Sequence, residues 1–346
     1  MARPSNASGT MPDFIPPMLA VTGELPDTED FLNEPKWDGL RCQAWFRDGG
    51  LRLLSRNGKE LLPRFPELSC LTGLIKGTDW IIDGELIVIG AGGLPDFDLV
   101  RNRNMTSIPG HIAKLAAQYP ATFAAFDLLY LNGAPMLARP LRERREMLHG
   151  LFEENPCLIK TPGLIGSGKT FWQMLARDGW EGLVAKRLDS PYIPGKRSTH
   201  WIKVRNVREI DCVVGGFIGQ GRAESADGTL QSLLLGQYTA GGELIYIGHV
   251  GTGFSTAERR SLLRILLSLR LKSGAGPLLL HVPREHAKDA VWVQPNLVCS
   301  VQFLTWTGGG LLRHPVFKGW RTDKEPHECR LEADHPLVRQ EGVLQP

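Results

Sequence analysis

Residues 34–41 read Glu34-Pro35-Lys36-Trp37-Asp38-Gly39-Leu40-Arg41. Asp-Gly favours a tight turn, so Lys36 is predicted at the end of a strand, with its side chain directed into a cavity. A lysine amine is nucleophilic only after it loses its proton, and its ordinary pKa is about 10.4. Nearby positive charge or burial must lower that pKa before the amine can attack. Alone, Lys-x-Asp-Gly is a short pattern that an exposed hairpin lysine also satisfies.

Length and composition indicate a soluble, globular protein of two domains. The 346 residues are 42% hydrophobic, which is enough for two cores of ordinary size. Residues 1–207 have 25 basic and 23 acidic side chains, and residues 208–346 have 15 and 14. Any nucleic-acid surface must therefore be a local patch. The N-terminus has no apolar signal segment, and the six cysteines are scattered. These features are typical of a cytoplasmic protein with buried thiols and no membrane contact.

Residues 1–207 alternate hairpin signals with helical segments. Strand-like runs at 40–47 and 51–56 flank Asp48-Gly49-Gly50, and the run at 124–131 ends in Asn132-Gly133. A further run at 81–89 is interrupted by Asp83-Gly84. Helical composition is found in three segments, residues 110–119, 141–154 and 171–178. Antiparallel hairpins mixed with helices predict an α+β fold rather than a doubly wound parallel sheet.

From about residue 208 the pattern changes to short strands separated by glycine turns. One clear helix, at residues 257–271, lies among strand-like runs at 211–218, 232–238, 244–250 and 298–306. Several short strands around a single helix predict a small β-barrel of the OB type. We therefore predict one domain at residues 1–207 and a second at 208–346.

Other segments place charged or aromatic side chains in apolar strands, where charge is costly unless it pairs or binds something. Arg56 lies in a turn, where its guanidinium could hold a phosphate. Residues 201–205 alternate, so Lys203 and Arg205 face the same way. Residues 83–85, 126–130 and 181–187 contribute the remaining candidates, which are Glu85, Phe126, Glu181 and Lys186. Taken singly, each of these is as easily a structural residue.

These segments, in this order, resemble the motifs of the covalent nucleotidyltransferases, a superfamily of ATP-dependent DNA ligases, RNA ligases and mRNA capping enzymes. A last motif, Arg321-Thr322-Asp323-Lys324, is similar to that of the bacterial ligases of non-homologous end joining. The resemblance extends from about residue 18 to residue 324. It implies an adenylation domain with antiparallel sheets and helices, a hinge near residues 204–209, and a mobile OB-fold β-barrel domain.

The resemblance also implies a function. The protein would be an ATP-dependent DNA ligase that seals breaks between a 3′-hydroxyl and a 5′-phosphate, in DNA repair or end joining. AMP would be carried first on a lysine and then on the 5′-phosphate. The implied partner is nicked or broken duplex DNA, and a Ku-like end-binding protein is a further expectation. We expect a monomer with no separate DNA-binding, nuclease or primase domain in these residues.

A nucleotide site around Lys36 is implied by the resemblance, with Lys36 as the nucleophile that takes AMP from ATP. Glu34 matches the residue at the adenine edge, and Phe126 matches the ring stacked on adenine. Arg41 and Glu85 match the contacts to ribose and phosphate.

A second group of charged residues is implied for the phosphates and for Mg²⁺ or Mn²⁺. Glu181 and Glu85 match carboxylates at the metal, an ion that suits oxygen ligands and phosphates. Lys186 and Lys203 match the lysines on the α-phosphate. Arg205 stands where many relatives have lysine, which preserves the charge but changes its geometry.

The remaining matches concern pyrophosphate and DNA. Arg321, Asp323 and Lys324 match the motif that orients the leaving pyrophosphate. Arg56 matches the arginine that holds the 5′-phosphate of the nick, and Arg197 is a weaker match to the same role, on position alone.

Residues 163–170 satisfy the pattern of a phosphate-binding P-loop in full, reading Gly163-Leu164-Ile165-Gly166-Ser167-Gly168-Lys169-Thr170. A strand before the loop and a helix after it are both possible, as such a loop requires. Against a P-loop, Pro162 precedes the first glycine, no apolar run ending in a metal-binding aspartate follows, and parallel βαβ units are missing from the pattern. We interpret the segment as a glycine-rich loop before the helix that leads to Glu181.

The sequence leaves several alternatives open. An RNA ligase or a GTP-dependent capping enzyme would use the same core, and a binding protein with an inactive core would differ only in activity. A preference for nicks or for double-strand ends, and for DNA or RNA-containing strands, cannot be derived from these motifs.

Overall fold

The computed structural model describes residues 11–220, 228–272, 278–333 and 335–338. The chain divides into two compact units, Met1–Asn206 and Val207–Pro346. Within the described ranges, no helix combines the length and the apolar character needed to cross a membrane.

The first unit consists of two sheets with helices packed against them. Its strands are β1 (Leu19–Thr22), β2 (Phe31–Pro35), β3 (Leu40–Arg47), β4 (Gly50–Ser55), β5 (Trp80–Val88), β6 (Ala121–Leu131), β7 (Ala134–Pro135), β8 (Leu158–Lys160), β9 (Leu164–Ile165), β10 (Gly182–Arg187) and β11 (Arg197–Arg205). Its helices are α1 (Leu71–Leu74), α2 (Phe97–Met105), α3 (Pro109–Gln118), α4 (Leu141–Gly150) and α5 (Gly168–Arg177), with 3₁₀ turns at Leu62–Arg64 and Pro66–Cys70.

Both sheets are mainly antiparallel, as the sequence predicts. One has the strand order β1-β11-β10-β2-β9, and the other has the order β4-β3-β5-β6-β7 with β8 beside β6. Two pairs, β1 with β11 and β6 with β8, are parallel. The largest core cluster packs on the second sheet and includes the fully buried rings of Phe65, Trp80 and Phe123. The α+β prediction for this unit is confirmed.

Most of the predicted elements of the first unit are present, with shifted ends. The hairpin β3–β4 turns through Asp48 and Gly49, whose φ angles of 51° and 78° are left-handed, as this turn type requires. The predicted interruption of the run at 81–89 is wrong, because β5 continues through Asp83-Gly84 and only its register with β6 shifts there. Helix α4 ends at Gly150 rather than at residue 154. Helix α2, capped by the side chain of Asp96, was not predicted because its sequence is largely polar.

The second unit is a five-stranded sheet with a helix packed on it. Its elements are β12 (Arg208–Gln220), β13 (Thr229–Tyr238), β14 (Leu244–Val250), α6 (Thr256–Ser268), α7 (Arg284–Ala287), β15 (Ala290–Phe303) and β16 (Val316–Trp320), with a 3₁₀ turn at Pro326–Glu328. The strand order is β14-β13-β12-β15-β16, and every neighbouring pair is antiparallel. Ser255 and Glu258 form a capping box at the start of α6. Strand β15 begins at Ala290, eight residues before the predicted run at 298, and β16 was not predicted as a strand.

All six cysteines are free thiols. Cys70 and Cys157 are partly exposed, so the prediction that the thiols are buried is wrong for these two.

Candidate active site

The first unit contains a cavity of about 260 Å³, open to solvent, where its two sheets approach each other. Most of the predicted site residues line it, and these are Glu34, Lys36, Arg41, Arg56, Glu85, Phe126, Lys186, Arg197, Lys203 and Arg205. Trp37 and Trp201 also face it. Positive side chains and aromatic rings therefore dominate its walls.

Lys36 follows directly on β2, and close packing of two glycines fixes its position. Its backbone N–H donates to the carbonyl of Gly182 at 2.8 Å, which joins it to the start of β10. A Cβ on Gly39 would lie 2.3 Å from the Leu86 carbonyl oxygen, and one on Gly182 would lie 2.2 Å from the Val204 carbonyl oxygen. Because no larger residue fits at either position, the two glycines bring β2, β5, β10 and β11 together around the lysine.

The amine of Lys36 donates a hydrogen bond to the carboxylate of Glu181, which lies just before β10. Glu181 is only 7% exposed, and its other oxygen lies 3.9 Å from Nε of Arg205. Burial raises the pKa of Glu181, against the opposing effect of Lys36. Although Glu181 does not line the cavity itself, it holds the amine of Lys36 at the cavity wall.

Lys186 and Glu34 form a buried ion pair on the neighbouring strands β10 and β2. Nζ of Lys186 lies 2.6 Å from Oε2 of Glu34, and the two side chains are 3% and 2% exposed. The same ammonium lies 4.0 Å from the ring centroid of Phe126 and 4.5 Å from that of Trp201. Burial lowers the pKa of Lys186, and Glu34 opposes that shift. Glu34 also accepts a hydrogen bond from Arg145 of α4, a contact that the sequence analysis missed.

Arg41 is held by a carboxylate that the sequence analysis did not assign to the site. Its Nε and Nη2 donate to the two oxygens of Asp83 at 2.7 and 2.6 Å. Asp83 is fully buried and also accepts from the hydroxyl of Tyr192 at 2.6 Å. The guanidinium of Arg41 lies 4.6 Å from the Phe126 centroid, so both Arg41 and Lys186 pack against that ring.

A cluster of cations lies on the wall formed by β11. Lys203 and Arg205 both face the cavity, as the alternation of this strand predicts. Burial lowers the pKa of Lys203, and the nearby charges of Arg205 and Arg197 lower it further. Arg197 also donates to the carbonyl of Ala20 at 2.7 Å. Such a positive field suits a ligand with several phosphate charges.

Glu85 is the candidate metal ligand that faces the cavity. It lies opposite Arg41 across the β3–β5 ladder, and burial raises its pKa to about 8, although Arg41 and Lys36 oppose the shift. Among the described residues no group of three or more potential metal ligands is present. Magnesium is commonly held by one or two carboxylates together with substrate phosphates, so Glu85 and Glu181 fit an ion that enters with the nucleotide.

The last predicted motif lies in the second unit, after β16. Arg321 and Lys324 donate to Asp211 of β12 there, and Asp323 accepts from Arg321. Asp211 was not predicted, although an acidic residue inside the apolar run at 210–214 indicates a charged partner.

The P-loop-like segment does not form a phosphate cradle. Leu164–Ile165 form β9 and pair with β2, so two of its eight residues are part of a sheet. Lys169 is 71% exposed, lies 3.3 Å from Asp27, and is not among the residues that line the cavity. The interpretation of this segment as a loop before a helix is supported.

A lysine amine at the wall of a cation-rich cavity, in an α+β unit followed by an antiparallel β unit, is the arrangement expected of a covalent nucleotidyltransferase. The family follows from two matches. The ATP dependent DNA ligase domain matches residues 17–205, and the ATP dependent DNA ligase C terminal region matches residues 226–324. The chain belongs to the ATP-dependent DNA ligase family.

Similar proteins agree with this assignment. The multifunctional non-homologous end joining DNA repair protein LigD of Mycobacterium tuberculosis is 34% identical over 91% of this chain and 40% of its own length. DNA ligase C1 of Mycolicibacterium smegmatis is 34% identical over 93% of this chain and 94% of its own length. The structure of a mycobacterial DNA ligase D complexed with ATP and MES is 31% identical and covers 92% of this chain and 98% of that one, with a TM-score of 0.50. The chain thus spans about two fifths of the LigD proteins, and the predicted resemblance to end-joining ligases is confirmed.

Proposed function

We propose that this protein is an ATP-dependent DNA ligase that seals breaks between a 3′-hydroxyl and a 5′-phosphate through AMP bound covalently to Lys36. The observation that carries the proposal is the position of the Lys36 amine at the wall of a cavity lined by cations and aromatic rings. The cations suit the triphosphate, and the rings suit a base. Membership of the ligase family supports DNA as the second substrate.

In the first step, the neutral amine of Lys36 attacks the α-phosphorus, a phosphorus–nitrogen bond forms, and pyrophosphate leaves. Lys203 and Lys186 stabilise the charge that grows on the α-phosphate oxygens. Glu85 and Glu181 would hold Mg²⁺ or Mn²⁺, which supplies further charge neutralisation when it is bound. Arg205 contributes positive charge beside Glu181.

The adenine is assigned to the space beside Phe126. The ammonium of Lys186 lies against that ring, 4.0 Å from its centroid. A base that stacks on Phe126 takes the place of this ammonium, and Lys186 then turns from Glu34 toward the α-phosphate. Glu34 is left at the edge of the base, still paired with Arg145.

In the second step AMP moves to the 5′-phosphate of the break, and in the third the 3′-hydroxyl attacks and AMP departs. Arg56 and Arg197 are the residues proposed to hold the 5′-phosphate, since both face the cavity. A Ku-like end-binding protein remains a proposed partner, on the resemblance to end-joining ligases alone.

For the second unit we propose an OB-type barrel over residues 208–346, after an adenylation domain over residues 1–207 and a hinge near 204–209. Support for closure of the sheet comes from backbone hydrogen bonds between its two edges. The N–H of Leu312 donates to Ile247 at 2.7 Å, and that of Phe317 donates to Thr252 at 3.0 Å. These bonds join the β14 side of the sheet to the β16 side.

A direct test offers the protein ATP, magnesium and end-labelled duplexes with a nick, with blunt ends, or with a nick that contains RNA. A DNA ligase joins the nicked DNA strand and releases AMP and pyrophosphate in equal amounts. Joining only of the RNA-containing strand would indicate an RNA ligase. Use of GTP in place of ATP would indicate a capping enzyme and contradict the proposal.

Arg321→Ala is expected to slow self-adenylylation with ATP by about 10- to 100-fold, because a cation that orients pyrophosphate is lost. Sealing of a nick that already bears AMP needs no pyrophosphate and should change much less. Both rates can be measured in single-turnover assays with α-labelled ATP and with pre-adenylylated DNA. Arg284→Ala, at an exposed arginine of the same unit, is the control. A larger loss in sealing than in self-adenylylation would contradict the assigned role.

Glu85→Gln is expected to raise the Mg²⁺ concentration that gives half-maximal self-adenylylation by at least about 10-fold, because a ligating carboxylate is lost. A titration of MgCl₂ at saturating ATP measures this. Glu60→Gln, which removes a 43% exposed carboxylate paired with Arg52, should leave the titration unchanged. An unaltered Mg²⁺ requirement in Glu85→Gln would exclude Glu85 as a metal ligand.

A further inference from the structure

Two cations of the last motif converge on a single carboxylate in the second unit. Nη1 of Arg321 donates to both oxygens of Asp211, at 3.0 and 2.8 Å. Nζ of Lys324 donates to Oδ2 of the same residue at 2.9 Å. Asp323 binds the other side of the guanidinium, at 2.9 Å from both Nε and Nη2. Asp211 is therefore the common anchor of Arg321 and Lys324.

Asp211 itself lies on a rigid support. It is in the middle strand of the sheet, β12, where it pairs with Ser300 of β15. Its carbonyl oxygen accepts from the side chain of Gln237, on the other neighbouring strand, at 3.0 Å. The Asp211 side chain is 14% exposed, against 37% for Arg321 and 27% for Lys324. The anchor is thus fixed by the sheet, while the cations it holds remain accessible to a ligand.

The like charges of Arg321 and Lys324 explain why a carboxylate is needed between them. Arg321 and Lys324 carry like charges and contact the same carboxylate, so they would repel each other and move apart without it. Both cations nevertheless keep hydrogen-bond donors for a ligand. A guanidinium has five N–H groups and an ammonium has three, and only one donor of Lys324 is used by Asp211. Within the described residues, the arrangement presents two adjacent cations that keep donors beyond those used by Asp211 and Asp323, which suits the neighbouring oxygens of a diphosphate.

We infer that Asp211 is a positioning residue for the first step, which sets Arg321 and Lys324 side by side to bind the leaving pyrophosphate. This inference rests on the proposed function, because it assigns Asp211 to the same nucleotidyl transfer. Asp211 makes no bond to the nucleotide in this scheme and acts only through the two cations. Its removal should therefore affect steps that involve pyrophosphate and spare those that do not.

The test compares Asp211→Asn with the wild-type protein. Self-adenylylation with α-labelled ATP is expected to slow by 10- to 100-fold, the usual range when a group that orients a reacting phosphate is misplaced. The reverse reaction, release of ATP from the preformed lysyl-AMP by added pyrophosphate, should slow by a similar factor. Sealing of a pre-adenylylated nick should remain within about 2-fold, because that reaction involves no pyrophosphate.

Two further variants make the test specific. Asp211→Glu keeps the carboxylate and is expected to recover most of the self-adenylylation rate. Asp289→Asn is the matched control, because it makes the same change at a 61% exposed carboxylate of the same unit, 3.9 Å from its neighbour Lys288. Its three rates should equal those of the wild type.

Either of two results would overturn the inference. One is an unchanged rate of self-adenylylation in Asp211→Asn, and the other is an equal loss in all three reactions, which would indicate a structural role. If the wild-type protein takes no label from ATP, the proposed function itself fails. If the wild-type protein takes label and Asp211→Asn takes it at the same rate, only the role of Asp211 fails.

Discussion

Lys36→Ala is expected to abolish self-labelling by ATP, with a loss of at least about 1,000-fold, because the nucleophile that forms the covalent intermediate is removed. The protein is incubated with α-labelled ATP and magnesium, denatured, and separated on a gel, and the label that stays on the polypeptide is counted. The same variant should still seal a nick that already bears AMP, because that step uses only the 3′-hydroxyl and the activated phosphate. Retention of this activity shows that the variant is folded.

A matched control for this experiment is Lys169, a second lysine that lies in the P-loop-like segment. Lys169 occupies the lysine position of the P-loop pattern but lies at the surface beside Asp27. Lys169→Ala should label and seal like the wild type. The assignment of Lys36 fails if Lys36→Ala joins unmodified nicked strands with ATP at the wild-type rate. Loss of labelling in Lys169→Ala would instead indicate that the P-loop-like segment binds the nucleotide.

Strand alternation and turn signals predicted only some of the cavity residues of the first unit, and the others, such as Glu34, Arg41 and Arg197, were expected from the resemblance to the covalent nucleotidyltransferases. Strand alternation put Lys203 and Arg205 on one face, and both line the cavity. The Asp-Gly turn put Lys36 at the end of β2. Local patterns of this kind depend only on neighbouring residues in the chain, so they can be recognised without the tertiary structure.

The partners of these residues could not be predicted in the same way, because they come from distant parts of the chain. Tyr192 reaches Asp83 across 109 positions, and no sequence pattern marks that contact. The burial of Arg145 was indicated by the helical spacing of its apolar neighbours. Leu141 and Leu148 are the buried face of α4, and residues 144 and 145 lie between them at helical spacing. Arg144 is fully buried and Arg145 is 12% exposed, so both arginines lie on the packed side of the helix.

The parallel pairing of strands was the other feature that could not be predicted from the sequence. Hairpin turns identify antiparallel neighbours, because the turn and both strands are contiguous. The β1–β11 pair joins Leu19 to Arg197 and the β6–β8 pair joins Phe123 to Leu158, and neither connection contains a diagnostic turn. The last motif shows the same dependence on distant residues. Arg321, Asp323 and Lys324 were matched by the resemblance, but their partner Asp211, on β12, was not.

The ion pair of Arg144 and Asp127 is buried completely, with both side chains 0% exposed. Nε and Nη2 of Arg144 donate to the two carboxylate oxygens at 2.7 and 2.9 Å, and Nη1 donates to the carbonyl of Ser190 at 2.9 Å. Asp127 follows Phe126 on β6, so the pair joins the aromatic wall of the cavity to α4 and to the segment before β11. Charges of this kind are stable only as a pair, because a lone buried ion has no compensating partner.

Arg144→Met is therefore expected to lower the free energy of unfolding of the first unit by about 3–5 kcal/mol, since it leaves the Asp127 charge buried without its partner. Hydrogen exchange of the β6 amides, followed by mass spectrometry, measures that free energy for this unit alone. Arg139→Ala removes a 50% exposed arginine that lies just before α4 and pairs with Glu143 of that helix, and it should cost less than about 0.5 kcal/mol. Arg144→Met combined with Asp127→Leu should recover much of the loss, because no buried charge remains. Equal stabilities for Arg144→Met and Arg139→Ala would show that the buried pair contributes no more than a surface one, and that solvent reaches Asp127 in the folded protein.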